Sequence, residues 1–184
     1  MEIKILTEVP AELAERIERF TFENFYTERE KKPEGQKELK EKFYSQPNAY
    51  LLVFEEDEII GTILLHRRRV KHKNQVMILG GLGRVCTRKE RRSQGIATMM
   101  LEEVVKILKT WKCDVAYLCA NIEKTGPLYE EVGFVPLNKP YTYYGRSGRL
   151  YEGTNGMIAP IISSKIFKEI IGSKEKFHIG SGNW

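Results

Sequence analysis

The sequence predicts a mixed α/β protein, in which a twisted sheet of about six to seven strands is flanked by helices. Two observations support this fold class. Three consecutive strand patterns ending at Thr87 form a meander, and a strand–helix–strand unit continues from the last of them. At 184 residues with 41 % hydrophobic content, the chain is long enough for one sizeable core and too short for two.

The first elements are a short edge strand and two helices. Glu2 to Leu6 alternates apolar and polar side chains, as an edge strand does. After Pro10, an amphipathic helix follows from the apolar spacing of Leu13, Ile17 and Phe20. Pro33 and Gly35 are expected to break any helix, and a second, surface helix is expected around the later pair Leu39 and Phe43.

The central part of the chain predicts the meander. Residues 49–70 form two strands with a turn at Glu56–Glu58, and Gln75–Thr87 forms the third. Gly80, Gly81 and Gly83 do not fit a dinucleotide loop, because the third glycine of that motif would fall on Cys86. They indicate instead a bulge or a close backbone approach, which would open a slot beside the strand.

The segment after the third strand predicts an anion site. Residues 92–97 fit the pattern R-x-x-G-x-[GA] and open a helix that runs from Gly95 to Trp111. The first amides of that helix have no intrahelical partner, and the helix dipole adds positive potential there, so phosphate is the expected ligand. Five basic side chains lie in or beside this turn: Arg84, Arg88, Lys89, Arg91 and Arg92.

The last third of the chain starts with a continuous apolar run, 114–120, which is typical of a strand covered on both faces. Asn121 ends that strand, and Thr125 is the expected N-cap of a short helix with Pro127 in its first turn. A strand to about Leu137, a Gly- and Tyr-rich loop and a strand at 157–162 follow. Residues 163–184 are expected to form a C-terminal extension with a short helix, beyond a domain at 1–162.

Composition limits the classes of partner. Three cysteines without C-x-x-C spacing indicate neither disulfides nor zinc, so no metal is expected. The absence of an apolar run near 18 residues and of a signal-like N-terminus predicts a cytoplasmic protein without membrane contact. The net charge of +5 suggests an anionic ligand or surface. The basic run Arg67–Lys73 is interpreted as a solvated hairpin end rather than a nucleic-acid surface, because no aromatic residues interleave with it.

These motifs resemble the GNAT superfamily of Gcn5-related N-acetyltransferases, in the R-x-x-G-x-[GA] segment and in the pairs Leu128-Tyr129 and Gly133-Phe134. The resemblance implies the acyl-CoA N-acyltransferase fold and acetyl-CoA as co-substrate, bound between the third meander strand and 114–120. It implies Tyr129 as the proton donor to the departing thiolate. The implied coenzyme-binding residues are Val85, Cys86, Thr87, Arg92, Ser93, Gln94, Gly95, Ile96, Ala97 and Asn121.

The C-terminal third is similar to the aminoglycoside 2'-N-acetyltransferase branch, in Ala159-Pro160-Ile161 and in a final Trp after a glycine-containing turn. This implies Glu152 and Trp184 as substrate-binding residues. The region between the first two helices overhangs the acceptor site in the superfamily, so Phe22, Phe25 and Tyr26 either line that site or belong to the core. His66, Glu152, the terminal carboxylate and a water chain remain alternatives for the general base.

The expected function is acetyl transfer from acetyl-CoA to a primary amine of a small molecule, by direct attack in a ternary complex. The expected protein is a monomer or homodimer without a nucleic-acid partner. Two alternatives stay open: a non-catalytic acetyl-CoA-binding module, and an acetyltransferase for a peptide or protein amine.

Overall fold

The computed structural model describes all residues, 1–184, and contains ten strands and five helices. The strands are β1 (Glu2–Leu6), β2 (Ala49–Glu55), β3 (Glu58–His72), β4 (Gln75–Thr87), β5 (Val115–Cys119), β6 (Val135–Pro136), β7 (Tyr141–Tyr144), β8 (Leu150–Gly153), β9 (Gly156–Pro160) and β10 (Phe177–Ser181). The helices are α1 (Ala11–Asn24), α2 (Pro33–Lys42), α3 (Ile96–Thr110), α4 (Ile122–Glu130) and α5 (Ser164–Gly172).

Seven strands form the main sheet, in the order β1-β2-β3-β4-β5-β9-β6, and β10, β7 and β8 form a second sheet of three. Within the main sheet only β4 and β5 pair in parallel, and α3 is the crossover between them. The prediction of a mixed sheet of six to seven strands flanked by helices is therefore confirmed. The meander β2–β3–β4 and the edge position of β1 are also as predicted.

Strand β4 spans the residues that the sequence predicted, and its irregularity lies at the expected place. Its register with β3 shifts between the pairs Thr62–Cys86 and Leu64–Gly83, which leaves Arg84 and Val85 as the bulged residues. Arg84 has a positive φ of 47°. The bulge increases the local twist of β4 just before the strand reaches the turn that leads into α3.

The two parallel strands separate soon after they meet. β4 and β5 pair at only three positions, Leu79–Val115, Gly80–Ala116 and Gly81–Tyr117. Beyond Gly81, β4 continues to Thr87 and β5 to Cys119 without pairing to each other. The sheet thus contains an internal slot, the splay that the glycine run predicted.

Each face of the main sheet is covered by a different set of elements. On one face, α3 buries Leu101, Val104 and Leu108 completely against the sheet. On the opposite face, α1 packs through Ile17 and Phe20. Beside α1 on that face, α5 and the small sheet enclose a separate apolar cluster. Each fully buried aliphatic side chain contributes about 2 kcal/mol relative to exposure, so both layers stabilise the sheet that contains the slot.

The structure corrects two helix boundaries. Pro33 does not break a helix but begins α2, at the first helical position, where the missing amide proton has no partner to lose. Gly35 is inside α2, where a Cβ atom would overlap the carbonyl oxygen of Arg29. The N-cap of α4 is Asn121 rather than Thr125, since the Asn121 side chain accepts from the amide of Lys124 at 3.1 Å.

The Gly- and Tyr-rich loop predicted after Leu137 is a β-hairpin, β7–β8, that pairs in parallel with β10 from the C-terminal segment. Residues 163–184 therefore complete a sheet with residues from 141–153. The predicted short helix in that segment is α5, capped by the Ser163 hydroxyl, which accepts from the amide of Ile166 at 3.2 Å.

Three further features concern the helices and the titratable side chains. No helix is both long and apolar enough to cross a membrane. No group of three or more His, Cys, Asp or Glu side chains is arranged to hold a metal ion. Cys86 and Cys113 are buried thiols, and Cys119 is partly buried.

Candidate active site

The turn before α3 presents a series of unpaired main-chain amides. The amides of residues 93–98 donate to no group of the protein, and the first helical bond of α3 runs from Met99 to Gly95 at 3.0 Å. Ser93 and Gly95 have positive φ values of 59° and 76°, so the chain coils around these amides rather than continuing a helix. The segment is a concave donor site at the positive end of a 15-residue helix.

Most basic side chains of this turn are bound within the fold. Arg92 donates to the carbonyl oxygens of Asn24 and Thr87, at 2.8 and 3.3 Å, and so ties the end of α1 to the end of β4. Three other arginines form ion pairs: Arg84 with Glu18, Arg88 with Glu58 and Arg91 with Glu55. Lys89 is exposed and makes no ion pair. Anion binding at the turn thus depends chiefly on main-chain amides, which fits the two phosphates of a coenzyme A pyrophosphate.

The slot presents main-chain groups of β4. Arg88 donates its amide to the carbonyl of Ile60 at 2.9 Å, and hydrogen-bonded pairs alternate along an antiparallel ladder. This alternation directs the main-chain groups of Cys86 toward β3 and those of Val85 and Thr87 toward the slot. An extended amide-containing chain, such as the pantetheine arm, fits these donors and acceptors. The Cys86 thiol is buried, and burial raises its pKa to about 12, so it stays a neutral packing group.

A cavity of about 500 Å³ opens from the slot into the space between α1, α2 and the C-terminal segment. Its floor is formed by β3, β4 and β5, through Leu64, Leu82 and Leu118. Aromatic side chains make up much of the wall: Phe25, Tyr26, Phe43, Tyr44, Tyr50, Tyr129 and Trp184. Of the three aromatics considered for an acceptor site, Phe25 and Tyr26 line the cavity, whereas Phe22 does not. Such a wall favours a ligand with an apolar body or a cationic group.

Tyr129 lies in the last turn of α4 and lines the first cavity. Its side chain is 7 % exposed and contacts Phe134, with ring centroids 6.3 Å apart. Burial raises the pKa of Tyr129 to about 12, so the hydroxyl carries its proton at neutral pH. Its hydroxyl makes no hydrogen bond within the protein. A protonated phenol at the cavity wall can donate to a developing thiolate.

Asn121 and Thr125 line the cavity beside Tyr129. The Asn121 carboxamide is engaged as the helix cap of α4, and the Thr125 hydroxyl donates to the Asn121 carbonyl at 2.9 Å. Asn121 therefore lies where the resemblance placed it, but its side-chain oxygen already serves the helix. Its side-chain NH₂ group remains free to donate to a ligand.

Trp184 forms the other end of the cavity. Its side chain is 5 % exposed and lies over Gly81, where a Cβ atom would overlap the indole ring. The guanidinium carbon of Arg68 is 4.1 Å from the indole centroid, and Arg68 also donates to the carbonyls of Ile179 and Gly182 at 2.7 and 3.0 Å. Arg68 is thus a half-buried side chain that holds the C-terminal segment in place, not part of the solvated hairpin end expected from the sequence.

A buried polar network lies between Trp184 and the small sheet. The Cys119 thiol donates to the main-chain oxygen of Trp184 at 2.8 Å, and the Tyr117 hydroxyl donates to the Asn183 carboxamide oxygen at 3.3 Å. The Asn183 side chain in turn donates to the Tyr141 hydroxyl at 3.2 Å. Burial raises the pKa of Cys119 to about 12, so this thiol is a hydrogen-bonding group rather than a nucleophile.

A second cavity of about 330 Å³ adjoins the first, between α2 and the β7–β8 hairpin. Glu152 lines this second cavity and not the first, and its carboxylate forms an ion pair with Lys176. The two predicted substrate-binding residues, Glu152 and Trp184, therefore lie in neighbouring cavities. Sequence reasoning missed Asn155 and Asn183, which line both; their only signal was the Gly-, Asn- and Tyr-rich composition of the C-terminal region.

The candidate bases differ in position and charge. His66 lines the first cavity, and its Nε2 atom lies 3.3 Å from where a Cβ of Gly83 would be. Burial and the neighbouring Arg68 lower the pKa of His66 to about 3, so the imidazole is neutral at physiological pH and a weak base. Glu18 and Glu30 are the side-chain carboxylates that line this cavity. A water chain without a dedicated base is the remaining alternative for the proton.

The fold and this site define an acyl-coenzyme A transferase domain, and the family comparison agrees. The model of the acetyltransferase (GNAT) domain matches residues 12–137, which is more than half of the chain. The chain belongs to the GNAT acetyltransferase family. The matched region ends at Leu137, so the hairpin, α5 and β10 lie beyond it. A search of curated protein sequences gives no match.

Solved structures show the same fold at low sequence identity. A GCN5-related N-acetyltransferase from Anabaena variabilis is 13 % identical, with a TM-score of 0.58, over 77 % of this chain and 34 % of its own. The ribosomal-protein-S18-alanine N-acetyltransferase from Escherichia coli is 13 % identical, with a TM-score of 0.56, and the match covers 87 % of this chain and 94 % of that protein. A chain of the NatC complex bound to Gag peptide and CoA is 19 % identical, with a TM-score of 0.54, and the match covers 87 % of this chain and 99 % of that chain. The chain spans about a third of the Anabaena protein.

Proposed function

We propose that this protein transfers the acetyl group of acetyl-CoA to the primary amine of a small molecule. The observation that carries the proposal is the arrangement of donors along one path of the chain: the open strand edge at Val85–Thr87 leads directly into the unpaired amides at 93–98, and Val85 lines the same cavity as the protonated Tyr129. Acetyl-CoA supplies an activated thioester there. Direct attack in a ternary complex suits a site in which both Cys86 and Cys119 are neutral thiols.

Each part of the site has a separate task. The amides of 93–98 bind the pyrophosphate, and the exposed edge of β4 orients the pantetheine arm and donates an amide to the thioester carbonyl oxygen. The nitrogen of a neutral acceptor amine forms a bond to the acetyl carbon as the carbon–sulfur bond breaks. The Tyr129 hydroxyl gives its proton to the departing sulfur, and the acceptor nitrogen loses a proton to water.

The cavity wall limits the acceptor. A volume of about 500 Å³ suits a small molecule or one segment of a larger one. Aromatic side chains surround the approach to Tyr129, which favours an amine on an apolar or extended body. The resemblance of Ala159–Ile161 and Trp184 to the aminoglycoside 2'-N-acetyltransferase branch extends the proposal to amino sugars, for which Trp184 forms the inner wall.

The test is the release of coenzyme A thiol from acetyl-CoA with a panel of acceptors: alkylamines, diamines, aminoglycosides, amino acids and peptides with free N-termini. Acceptor-dependent release with a small amine is the expected result. Release only with peptides would replace the small-molecule proposal by a peptide acetyltransferase. Tight acetyl-CoA binding without release for any acceptor would identify a non-catalytic binding module and overturn the proposal.

A further inference from the structure

Four carboxylate side chains line the two neighbouring cavities, and three of them are already neutralised. Those three form ion pairs within the protein: Glu18 with Arg84 at 2.8 Å, Glu38 with Lys42 at 2.6 Å and with Arg29 at 3.4 Å, and Glu152 with Lys176. Glu30 is the fourth, and no cationic side chain lies within 4.0 Å of it. Every cation that lines either cavity is paired. Among the carboxylate side chains of the two cavities, Glu30 is therefore the one whose negative charge is uncompensated.

The Glu30 side chain is held in position by its own loop. One carboxylate oxygen, Oε2, accepts from both the amide and the hydroxyl of Thr27, each at 2.8 Å. The other oxygen has no partner in the protein. The loop is also held by α2, because the Gln36 side chain donates to the Glu30 carbonyl at 2.8 Å. Gly35 has no side chain, which lets α2 lie close to the backbone of Arg29 and Glu30. Thr27 thus fixes the carboxylate and leaves one oxygen available to a ligand.

Glu30 lines both cavities, together with Leu39 and Phe43, whereas Tyr129 lines only the first. Because Glu30 and Tyr129 share the first cavity, an acceptor with its reacting nitrogen at Tyr129 can contact Glu30 with its other end. The wall of this cavity also carries Phe25, Tyr26 and Phe43, whose faces suit methylene groups and cations.

We propose that the acceptor is an amine with a second positive charge, and that Glu30 binds this second cation. The reacting nitrogen must be neutral to attack, so it cannot be the group that satisfies a carboxylate. A second ammonium or a guanidinium group, separated from the reacting nitrogen by an alkyl chain, can pair with the Glu30 carboxylate. This contact positions the acceptor and leaves the reacting nitrogen neutral and nucleophilic. Glu30 is a specificity-determining residue, and the substrate class is a diamine or a polyamine-like cation. This inference rests on the proposed function of the site.

A binding experiment tests the cation site without requiring turnover. Isothermal titration calorimetry on the full chain with coenzyme A present measures the affinity for α,ω-diaminoalkanes of four to eight carbons at pH 7.5. We expect Glu30→Gln to weaken binding of the best diamine about tenfold, as for a partly exposed charge-assisted contact. Glu28→Gln is the control, because Glu28 pairs with Lys31 at the surface and lines neither cavity. Equal affinity in wild type and Glu30→Gln, or no diamine binding, overturns the proposal.

A kinetic experiment tests whether productive binding uses the second charge. We expect kcat/KM for the best diamine to exceed that for the monoamine of equal length by about tenfold, and Glu30→Gln to remove this preference through KM with kcat unchanged. Turnover of monoamines and diamines with equal kcat/KM would refute the inference and leave the proposed function intact. Diamine binding that depends on Glu30 but gives no thiol release would support the cation site and refute the proposed acetyltransferase function.

Discussion

The indole ring of Trp184 lies nearly parallel to the imidazole ring of His66, with centroids 5.1 Å apart and an angle of 16° between the planes. Gly81, opposite His66 in the β3–β4 ladder, leaves the space that the indole occupies. Because both rings line the first cavity, this contact fixes the shape of the wall that faces the acceptor. It also ties the C-terminal segment to the strand beside the slot.

A methyl group at Gly81 is expected to disturb this contact. In Gly81→Ala the new Cβ overlaps the indole, so Trp184 must move, and we expect a loss of about 1–3 kcal/mol in the free energy of unfolding. Urea denaturation followed by tryptophan fluorescence measures it. Gly172→Ala is the control, since nothing lies within 4 Å of a Cβ at that position. If the effect arises from the overlap, Gly81→Ala costs little in a Trp184→Ala background.

His66 is expected to make stability depend on pH. Its pKa falls from an ordinary value of 6.5 to about 3 in the folded protein, mainly through burial. Between these values the unfolded chain binds more protons than the folded one, so the free energy of unfolding decreases as the pH falls from 6.5 toward 3. We expect the contribution of this group to reach about 1.4 kcal/mol per pH unit in that window.

Urea titrations of wild type and His66→Gln at several pH values between 7 and 4 test this dependence. The variant should lose stability more slowly on acidification, because glutamine has no proton to bind. Identical slopes for the two proteins would contradict the assignment of the acid sensitivity to His66.

Removal of the Tyr129 hydroxyl is expected to slow chemistry and spare coenzyme binding. Tyr129→Phe keeps the contact of the ring with Phe134 but cannot give a proton to the sulfur, and we expect kcat to fall about a hundredfold. The dissociation constant of acetyl-CoA should not change. Tyr144→Phe, at an exposed position outside both cavities, serves as the control. An unchanged kcat in Tyr129→Phe would exclude Tyr129 as the proton donor.

The pH dependence of the wild-type rate gives a second test of Tyr129. With its pKa raised to about 12 by burial, the hydroxyl stays protonated across the range in which the protein is assayed. Because the wild-type hydroxyl keeps its proton, kcat should not decline between pH 7 and 10 through ionisation of Tyr129. A decline there that disappears in Tyr129→Phe would mean that the hydroxyl titrates far below this value.

A charge at Gly95 is expected to block the amide cradle. Gly95 has a φ of 76°, a conformation that asparagine tolerates better than most residues, so Gly95→Asn and Gly95→Asp differ mainly in charge. We expect Gly95→Asp to weaken acetyl-CoA binding at least tenfold more than Gly95→Asn does, because its carboxylate lies among amides that bind phosphate. Equal affinities in the two variants would show that phosphate does not bind at this turn.

Local signals predicted the central elements well. The bounds of β4 followed from β-branched residues between two turns, and α3 from its apolar period with Gly95 at its start. The turn of unpaired amides at 93–98 was visible for the same reason, since glycine at a helix start and basic neighbours are close in sequence. These features depend on contacts within about twenty residues.

The features that sequence reasoning missed depend on contacts between distant residues. β7 and β10 are short, and their pairing joins residues 36 positions apart, as in Tyr141 with Phe177. The role of Arg68 depends on β10 lying across β3. The unpaired state of the Glu30 side chain is not visible in the sequence, because the other carboxylate side chains of the cavities pair with cations that are distant in the chain, as Glu18 does with Arg84 and Glu152 with Lys176. Asn121 was missed as a cap because Thr125 offers the same chemistry four residues later.

The early end of the β4–β5 ladder also bears on how the sequence can vary. Beyond Gly81 the slot offers hydrogen-bonding groups of the backbone, so an extended ligand can join the sheet much as an additional strand would. Recognition of that kind depends on the path of the chain and not on which side chains it carries. Substitutions at these positions are then limited only by packing and twist. The Anabaena and Escherichia coli structures share the fold of this chain at 13 % identity.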